Sequence, residues 1–177
     1  METKDSVKEE LYKVALYTDG GAEPNPGKGG IGVVLICNGK FLELSKGFKF
    51  TTNNRMELQA VISGLMALKK KSRVTVYSDS QYVVNGFEKG WVLKWNANNW
   101  MRKTGQVVNS DLWKQLLTLT TEHVVRFQWI KGHNGHQQNE RCDELALMAL
   151  SRPDLEEDEG YIPLDQLEKN IDKLRST

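Results

Sequence analysis

Residues 13–50 carry the alternating and apolar patterns of β-strands. Short apolar runs cover residues 13–19 and Ile31–Cys37, and a third strand-like stretch covers residues 40–50. The dipeptide Asn38-Gly39 stands between the last two stretches, where Asn-Gly is typical of a two-residue hairpin turn. The pattern therefore predicts three antiparallel strands at the start of the chain.

From residue 53 the period of the apolar residues becomes helical. Leucine, valine and isoleucine recur three and four positions apart as far as Leu68. Lys69–Lys71 follow, where cations suit the negative end of a helix dipole, so they are expected to close this helix. The later pattern predicts, in chain order, a strand over 73–77, a short helix after Ser80, a helix capped by Ser110 and ending near Thr121, a strand over 124–130 and a helix over 139–150.

This order of elements predicts an α/β fold. Strands that are separated by helices call for parallel pairing with right-handed crossovers. We therefore expect a mixed five-stranded sheet, with three antiparallel strands and then parallel ones, and helices on both faces. In such sheets, functional sites form beyond the carboxyl ends of the strands near the first strand.

The 177 residues, 39% apolar and 27% charged, fit one globular domain with its own core. We expect a polar leader over residues 1–12, a domain over 13–151 and an acidic tail over 152–177. The tail holds 8 acidic and 4 basic residues, which leaves 15 acidic and 20 basic residues in the body. Residues 154–159 are interpreted as a linker, and apolar residues at helical spacing from Leu164 onward indicate a short terminal helix. A mildly basic body is compatible with a polyanionic partner.

Neither a membrane span nor a signal peptide is predicted. No apolar run approaches the length of a span, and the charged start has no hydrophobic signal region. Cys37 and Cys142 have neither a metal-ligand spacing nor a disulfide framework. These features favour a cytoplasmic protein in a reducing environment.

Four acidic residues stand where predicted elements start or end. Asp19 and Asp79 follow strand patterns, Glu57 lies in the first turns of the first long helix, and Asp143 lies on the apolar face of the last one. Carboxylates that converge repel one another unless a cation offsets their charge, and hard divalent ions prefer oxygen ligands. Two such ions about 4 Å apart can activate a water and stabilise the leaving oxygen in phosphodiester hydrolysis. The four acids therefore indicate a metal-dependent nuclease.

Each acid also has a simpler interpretation. Aspartate is common in turns, which is the simpler interpretation of Asp19. Asp79 is interpreted in the same way as an acid at a helix start, and Glu57 as the partner of Asn54 in a capping pair. Asp143 is harder to explain this way, because buried acids are rare unless they are paired or bind a metal. The spacing of the four acids does not decide between these interpretations.

The histidines and tryptophans suggest further roles. His133 and His136 lie on either side of Gly135 in a polar loop, without the additional ligands that zinc needs, and one of them is a candidate proton shuttle. The segment from Trp91 to Trp100, which we name the tryptophan segment, belongs either to the core or to a nucleic-acid-binding surface in which aromatic side chains alternate with cations. The candidate contact residues of such a surface are Trp91, Lys94, Trp100, Arg102 and Lys103.

Four strings of the sequence resemble type 1 ribonuclease H, and the bacterial enzymes most closely. They are Tyr17-Thr18-Asp19-Gly20, Thr52-Asn53-Asn54-Arg55-Met56-Glu57-Leu58, Ser78-Asp79-Ser80-Gln81-Tyr82-Val83, and Lys131-Gly132-His133 with Asn139-Glu140-Arg141-Cys142-Asp143-Glu144-Leu145-Ala146. The resemblance covers roughly residues 12–150 in the order of the family. It implies a ribonuclease H fold with a catalytic domain over 13–151.

The resemblance implies a monomeric endonuclease that hydrolyses the RNA strand of RNA–DNA hybrids and leaves 5′-phosphate and 3′-hydroxyl ends. It implies two Mg²⁺ ions, for which Mn²⁺ can substitute. Asp19 would bridge them, with Asp143 on one ion and Glu57 and Asp79 on the other. His133 matches the loop histidine of the family, which helps the product to leave.

The same resemblance implies contacts to the hybrid. Asn25, Asn53, Asn54 and Gln81 match positions in the minor groove, Thr52 matches a position near a DNA phosphate, and the tryptophan segment resembles a basic protrusion with Trp91 near the DNA strand. The protrusion has Asn96-Ala97-Asn98-Asn99 and Gln106-Val107-Val108-Asn109 where relatives tend to carry lysine or arginine. We therefore expect weaker or less salt-sensitive binding. The alternatives are a hybrid-binding module without activity, and a relative with the same sheet and another substrate, such as a transposase or junction resolvase.

Overall fold

The computed structural model describes residues 11–163. The elements are β1 (Tyr12–Glu23), β2 (Gly27–Cys37), β3 (Lys40–Thr51), α1 (Asn53–Met66), β4 (Ser72–Ser78), α2 (Gln81–Glu88), α3 (Trp91–Ala97), β5 (Met101–Arg102), β6 (Gly105–Gln106), α4 (Ser110–Glu122), β7 (Val124–Trp129) and α5 (Gln137–Leu150). Most of the predicted leader and the whole predicted terminal helix lie outside the described residues.

Five strands form one mixed sheet in the order β3-β2-β1-β4-β7. Strands β1, β2 and β3 pair antiparallel, and β4 pairs parallel with both β1 and β7. Strand β2 is buried on both faces: Val33 joins the core formed with α1 and α4, and Val34 packs against Cys142 and Leu145 of α5. The predicted fold class, a mixed sheet with helices on both faces, is confirmed.

Several element boundaries differ from the prediction. Strand β1 does not end at Asp19, because its pairing with β2 continues to Glu23 opposite Lys28. Helix α1 ends at Met66, so Lys69–Lys71 follow the helix and do not close it. Asn109 occupies the N-cap position of helix α4 without a side-chain capping bond, and the predicted cap Ser110 is the first residue of the helix.

The predicted linker over 154–159 is joined to the sheet. Glu156 donates its backbone N–H to the carbonyl of Gly47 at 2.8 Å and accepts the N–H of Lys49 at 2.9 Å. These bonds place residue 156 in a short parallel bridge with Phe48 at the edge of β3. The acidic composition predicted a solvated segment, and the backbone pairing overrides it. None of the helices within residues 11–163 has the length and apolar character that a membrane span requires.

Candidate active site

Three of the four predicted acids converge at one edge of the sheet. The parallel register of β1 and β4 pairs Tyr17 with Tyr77, which places Asp19 and Asp79, each two residues further on, side by side. Helix α1 brings Glu57 to the same point. One carboxylate oxygen from each of the three acids lies within 4.8 Å of the others.

The approach of Glu57 to Asp19 depends on a glycine in β1. A Cβ atom at Gly20 would overlap the backbone carbonyl of Met56 and would lie 2.9 Å from the backbone nitrogen of Glu57. The backbone N–H of Gly20 also donates to Asp19 Oδ1 at 2.8 Å. Gly20 therefore lets the first turn of α1 rest against β1, and it orients the neighbouring carboxylate.

Asp79 is held by two side chains that the sequence analysis did not single out as site residues. Trp129, the last residue of β7, donates its indole N–H to the Asp79 carbonyl at 3.0 Å. Asn139, buried in α5, donates its amide to Asp79 Oδ2 at 3.2 Å. The signal for Asn139 was its place four residues before Asp143, one turn away on the same helix. Trp129 carried no such signal, because it looked like any aromatic residue in a strand.

The fourth acid, Asp143, lies beside Asp19. The charge of Asp143 contributes to raising the pKa of Asp19. Both line a cleft of about 120 Å³, together with Gly21, Asn53 and Ala146. Helix α5 thus adds its carboxylate from the face of the sheet opposite to α1.

The electrostatics of the cluster favour a bound cation. Burial, and then repulsion by Asp79 and Asp143, raise the pKa of Asp19 to about 7. Burial, followed by the charges of Asp19 and Asp79, raises the pKa of Glu57 well above its ordinary value. Glu57 Oε2 is buried and has no hydrogen-bond partner among residues 11–163. A hard divalent ion would satisfy this oxygen and relieve the repulsion, so the carboxylate set fits such a metal.

The three histidines have different surroundings. His133 is exposed in the β7–α5 loop and has a left-handed backbone with φ of 51°. His136 is exposed as well and is the N-cap residue of α5, where its side chain makes no capping bond within the described structure. His123 is buried at the end of α4, and its Nδ1 accepts the backbone N–H of Ser72 at 3.3 Å.

The polar residues expected to contact a nucleic acid lie in the β1–β2 turn and at the starts of α1 and α2. Asn25, Asn53, Asn54 and Gln81 are exposed, and Asn25 Oδ1 accepts the backbone N–H of Asn53 at 3.2 Å. Thr52 is the N-cap of α1, and its hydroxyl accepts the N–H of Arg55. The alternative in which Asn54 caps the helix together with Glu57 is therefore wrong.

Trp91 and Trp95 of the tryptophan segment line a pocket, and Trp100 belongs to the core. A pocket of about 780 Å³ is lined by Trp91, Lys94, Trp95, Asn98, Met101, Arg102 and Lys103. Trp100 was predicted as a contact residue, but it is 6% exposed and joins the main core. Its ring is covered by the ammonium group of Lys114, 5.8 Å from the ring centre. Trp100 therefore supports the segment from within and is a correction to the predicted set.

The sheet order and the acid cluster define a ribonuclease H-like fold. Among solved structures, the chain superposes on LC9-RNase H1, a type 1 RNase H with the type 2 active-site motif, with a TM-score of 0.71 and 32% identity over 80% of this chain and 73% of that one. It also superposes on LC11-RNase H1 in complex with RNA/DNA hybrid, with a TM-score of 0.61 and 28% identity over 77% of this chain and 96% of that one.

Sequence comparison identifies the family. The RNase H family model matches residues 12–151. Ribonuclease H of Desulforamulus reducens is 56% identical over 146 residues, which are 82% of this chain and 92% of that protein. Ribonuclease HI of Haemophilus ducreyi is 50% identical over 154 residues, which are 86% and 99% of the two chains. The chain belongs to the ribonuclease H family.

Proposed function

We propose that this protein is an endoribonuclease that hydrolyses the RNA strand of RNA–DNA hybrids. The observation that carries the proposal is the convergence of Asp19, Glu57 and Asp79, with Asp143 beside Asp19, in a member of the ribonuclease H family. The similarity to a ribonuclease H1 whose structure includes an RNA/DNA hybrid supports the choice of substrate. A module that only binds hybrids would not need four acids close together, because their mutual repulsion is unfavourable unless a cation offsets it.

In this proposal the four acids hold two divalent ions, Mg²⁺ or in its place Mn²⁺. Asp19, Glu57 and Asp79 would supply ligands from oxygens that lie within 4.8 Å of one another, and Asp143 would add a further carboxylate beside Asp19. When bound, the ions activate a water and stabilise the charge that develops on the leaving oxygen. The expected products have 5′-phosphate and 3′-hydroxyl ends.

Other residues of the chain position the acids or assist the reaction. Gly20 and Asn139 keep the carboxylates of Asp19 and Asp79 in place through the hydrogen bonds described above. His133, exposed on a loop next to Gly132, supplies a proton to the leaving group and assists product release. Its left-handed backbone and its exposure distinguish it from the half-buried acids.

The hybrid would contact two exposed regions. The exposed polar residues Asn25, Asn53, Asn54 and Gln81 offer donors and acceptors suited to a minor groove, and Thr52 would lie near a DNA phosphate. The pocket at α3 offers the aromatic face of Trp91 beside Lys94, Arg102 and Lys103, which suits a sugar–phosphate backbone. As part of the same proposal, the catalytic domain over residues 13–151 acts as a monomer in the cytoplasm. The match of the family model to residues 12–151 supports its extent.

Analysis of the products tests the proposed chemistry. We expect a hybrid with a labelled RNA strand to be cut internally in the presence of Mg²⁺ and to remain intact in a chelator. The new ends should be a 5′-phosphate, which phosphatase removes, and a 3′-hydroxyl, which a polymerase extends. Cyclic-phosphate ends, or equal cleavage without a divalent ion, would contradict the proposed chemistry.

A further inference from the structure

The side chain of Arg55 is fully enclosed two residues before Glu57. It is 2% exposed, although it lies in the first turn of α1 beside the exposed Asn53 and Asn54. All five N–H donors of its guanidinium have an acceptor within the protein. The distances are 2.7 and 2.8 Å to the carboxylate of Asp158, 2.9 and 2.7 Å to that of Asp111, and 3.4 Å to Asn109 Oδ1. Arg55 is thus committed to internal partners and is not available to bind a phosphate.

Residues 155–161, which we name the C-terminal strap, close over this arginine. Asp158 also accepts the hydroxyl of Thr51 at 2.6 Å. A Cβ atom at Gly160 would overlap the Asp111 carboxylate, so the strap crosses directly over the ion pair. The ring of Tyr161 stacks on Phe50 with 5.8 Å between the ring centres, and it lies 6.0 Å from the guanidinium of Arg55.

The arginine joins parts of the chain that are far apart in sequence. Its backbone directly follows residues 52–54 at the start of α1, which hold proposed minor-groove contacts. Its partners Asn109 and Asp111 begin α4, directly after the basic protrusion. The carboxylate of Asp158 comes from the strap. One guanidinium therefore connects both proposed hybrid-contacting regions.

We infer that Arg55, Asp111 and Asp158 form a clasp that holds the start of α1, residues 52–54, and the protrusion in the relative position that binds the hybrid. The three are positioning residues, and the inference rests on the proposed function. The metal site does not depend on the clasp, because Glu57 is placed by the contact of α1 with Gly20, and Asp79 by Trp129 and Asn139. Loosening the clasp should consequently weaken hybrid binding and leave metal binding and the chemical step intact.

The test compares Asp158→Asn with Glu157→Gln, its neighbour on the strap. Asp158→Asn removes the charge that Arg55 faces and keeps the shape of the side chain. We expect Kd and KM for the hybrid to rise roughly tenfold, as for the loss of a hydrogen bond to a charged group. We expect kcat and the Mg²⁺ concentration for half-maximal rate to stay within about twofold. Glu157 pairs with Lys49 on the surface, with side chains 64% and 58% exposed, so Glu157→Gln should match the wild type.

Binding is measured separately from turnover, in an Asp19→Asn background with Mg²⁺ present. Wild-type cleavage tests the proposed function, and the Kd comparison tests the clasp even if cleavage is not observed. A folded Asp158→Asn variant with unchanged Kd would overturn the inference and leave the clasp a stabilising element only. If thermal melting shows this variant to be unfolded at the assay temperature, Asp111→Asn is judged by the same criteria.

The salt dependence of Kd for Arg55→Gln separates positioning from direct contact. A positioning role predicts a weaker Kd with the log–log slope of the wild type, because no phosphate contact is lost. A slope that is flatter by roughly 0.9 would show that Arg55 binds a phosphate, and it would overturn the inference.

Discussion

Asp19 combines three features that single carboxylates in folded proteins seldom share. It lies inside a strand, it is close to three other acids, and burial raises its pKa to about 7. The folded protein therefore holds a proton on Asp19 more tightly than the unfolded chain does. Without metal, this group makes the stability fall as the pH rises from about 4 through 7. A divalent ion offsets the charge and removes the penalty.

Asp19→Asn should abolish cleavage and stabilise the metal-free protein at high pH. Asparagine cannot ionise, so at pH 8 we expect unfolding to cost roughly 1–3 kcal/mol more than in the wild type, and we expect the difference to disappear near pH 4. Urea denaturation in a chelator at both pH values measures it. A variant that is less stable at pH 8, or that retains substantial cleavage, would refute this role for Asp19.

His133→Ala should slow turnover and leave the magnesium requirement unchanged. A proton shuttle contributes about 10²–10⁴-fold, and less where product release limits the rate. His136→Ala is the matched control, since His136 is exposed in the same loop and has no assigned role. Steady-state rates across a magnesium titration compare both variants with Asp143→Asn. A magnesium requirement raised as much by His133→Ala as by Asp143→Asn would make His133 a metal ligand.

At the scale of elements, the site depends on how closely α1 approaches β1. Gly20→Ala should destabilise the protein by roughly 1–3 kcal/mol and lower kcat, because the new methyl group would push the first turn of α1, and Glu57 with it, away from Asp19. Gly21→Ala is the matched control, because its nearest neighbour would be Asn53 Oδ1 at an ordinary 3.8 Å. Thermal melting and cleavage assays on both variants measure the effect. Equal behaviour of the two variants would show that this close approach is not required.

The sequence predicted which helices and strands form better than it predicted where they end or which residues hold the site in place. Period and turn residues were sufficient for the sheet, because the strand patterns are strong and local, whereas the spacing of the acids did not decide whether they converge. Met66 ends α1 before the lysines, and β1 continues past Asp19, because pairing with β2 rather than local composition decides where that strand ends. Trp129 and the strap were not predicted, because hydrogen bonds between residues about 50 and 100 positions apart leave no periodic signal.

At the scale of the whole molecule, hybrid affinity should depend on the protrusion. Trp91→Ala with Lys94, Arg102 and Lys103 changed to Gln should weaken binding, and each lost phosphate contact should flatten the log–log salt dependence by roughly 0.7–0.9. The matched control changes Lys69–Lys71 to Gln, since these residues lie outside the protrusion and carry the same total charge as the three cations. If kcat at saturating hybrid falls strongly while Kd and the salt slope stay unchanged, the protrusion does not serve to bind the substrate.

The central claim is that the acid cluster and its flanking surfaces serve an RNA–DNA hybrid. The most direct measurement is a comparison of cleavage rates on a hybrid, a duplex DNA and a duplex RNA of one sequence, in Mg²⁺, with Asp19→Asn as the inactive control. We expect the RNA strand of the hybrid to be cut and its DNA strand and both duplexes to stay intact. Faster cleavage of duplex DNA or duplex RNA than of the hybrid would contradict a hybrid-specific site and favour a relative with the same sheet and another substrate.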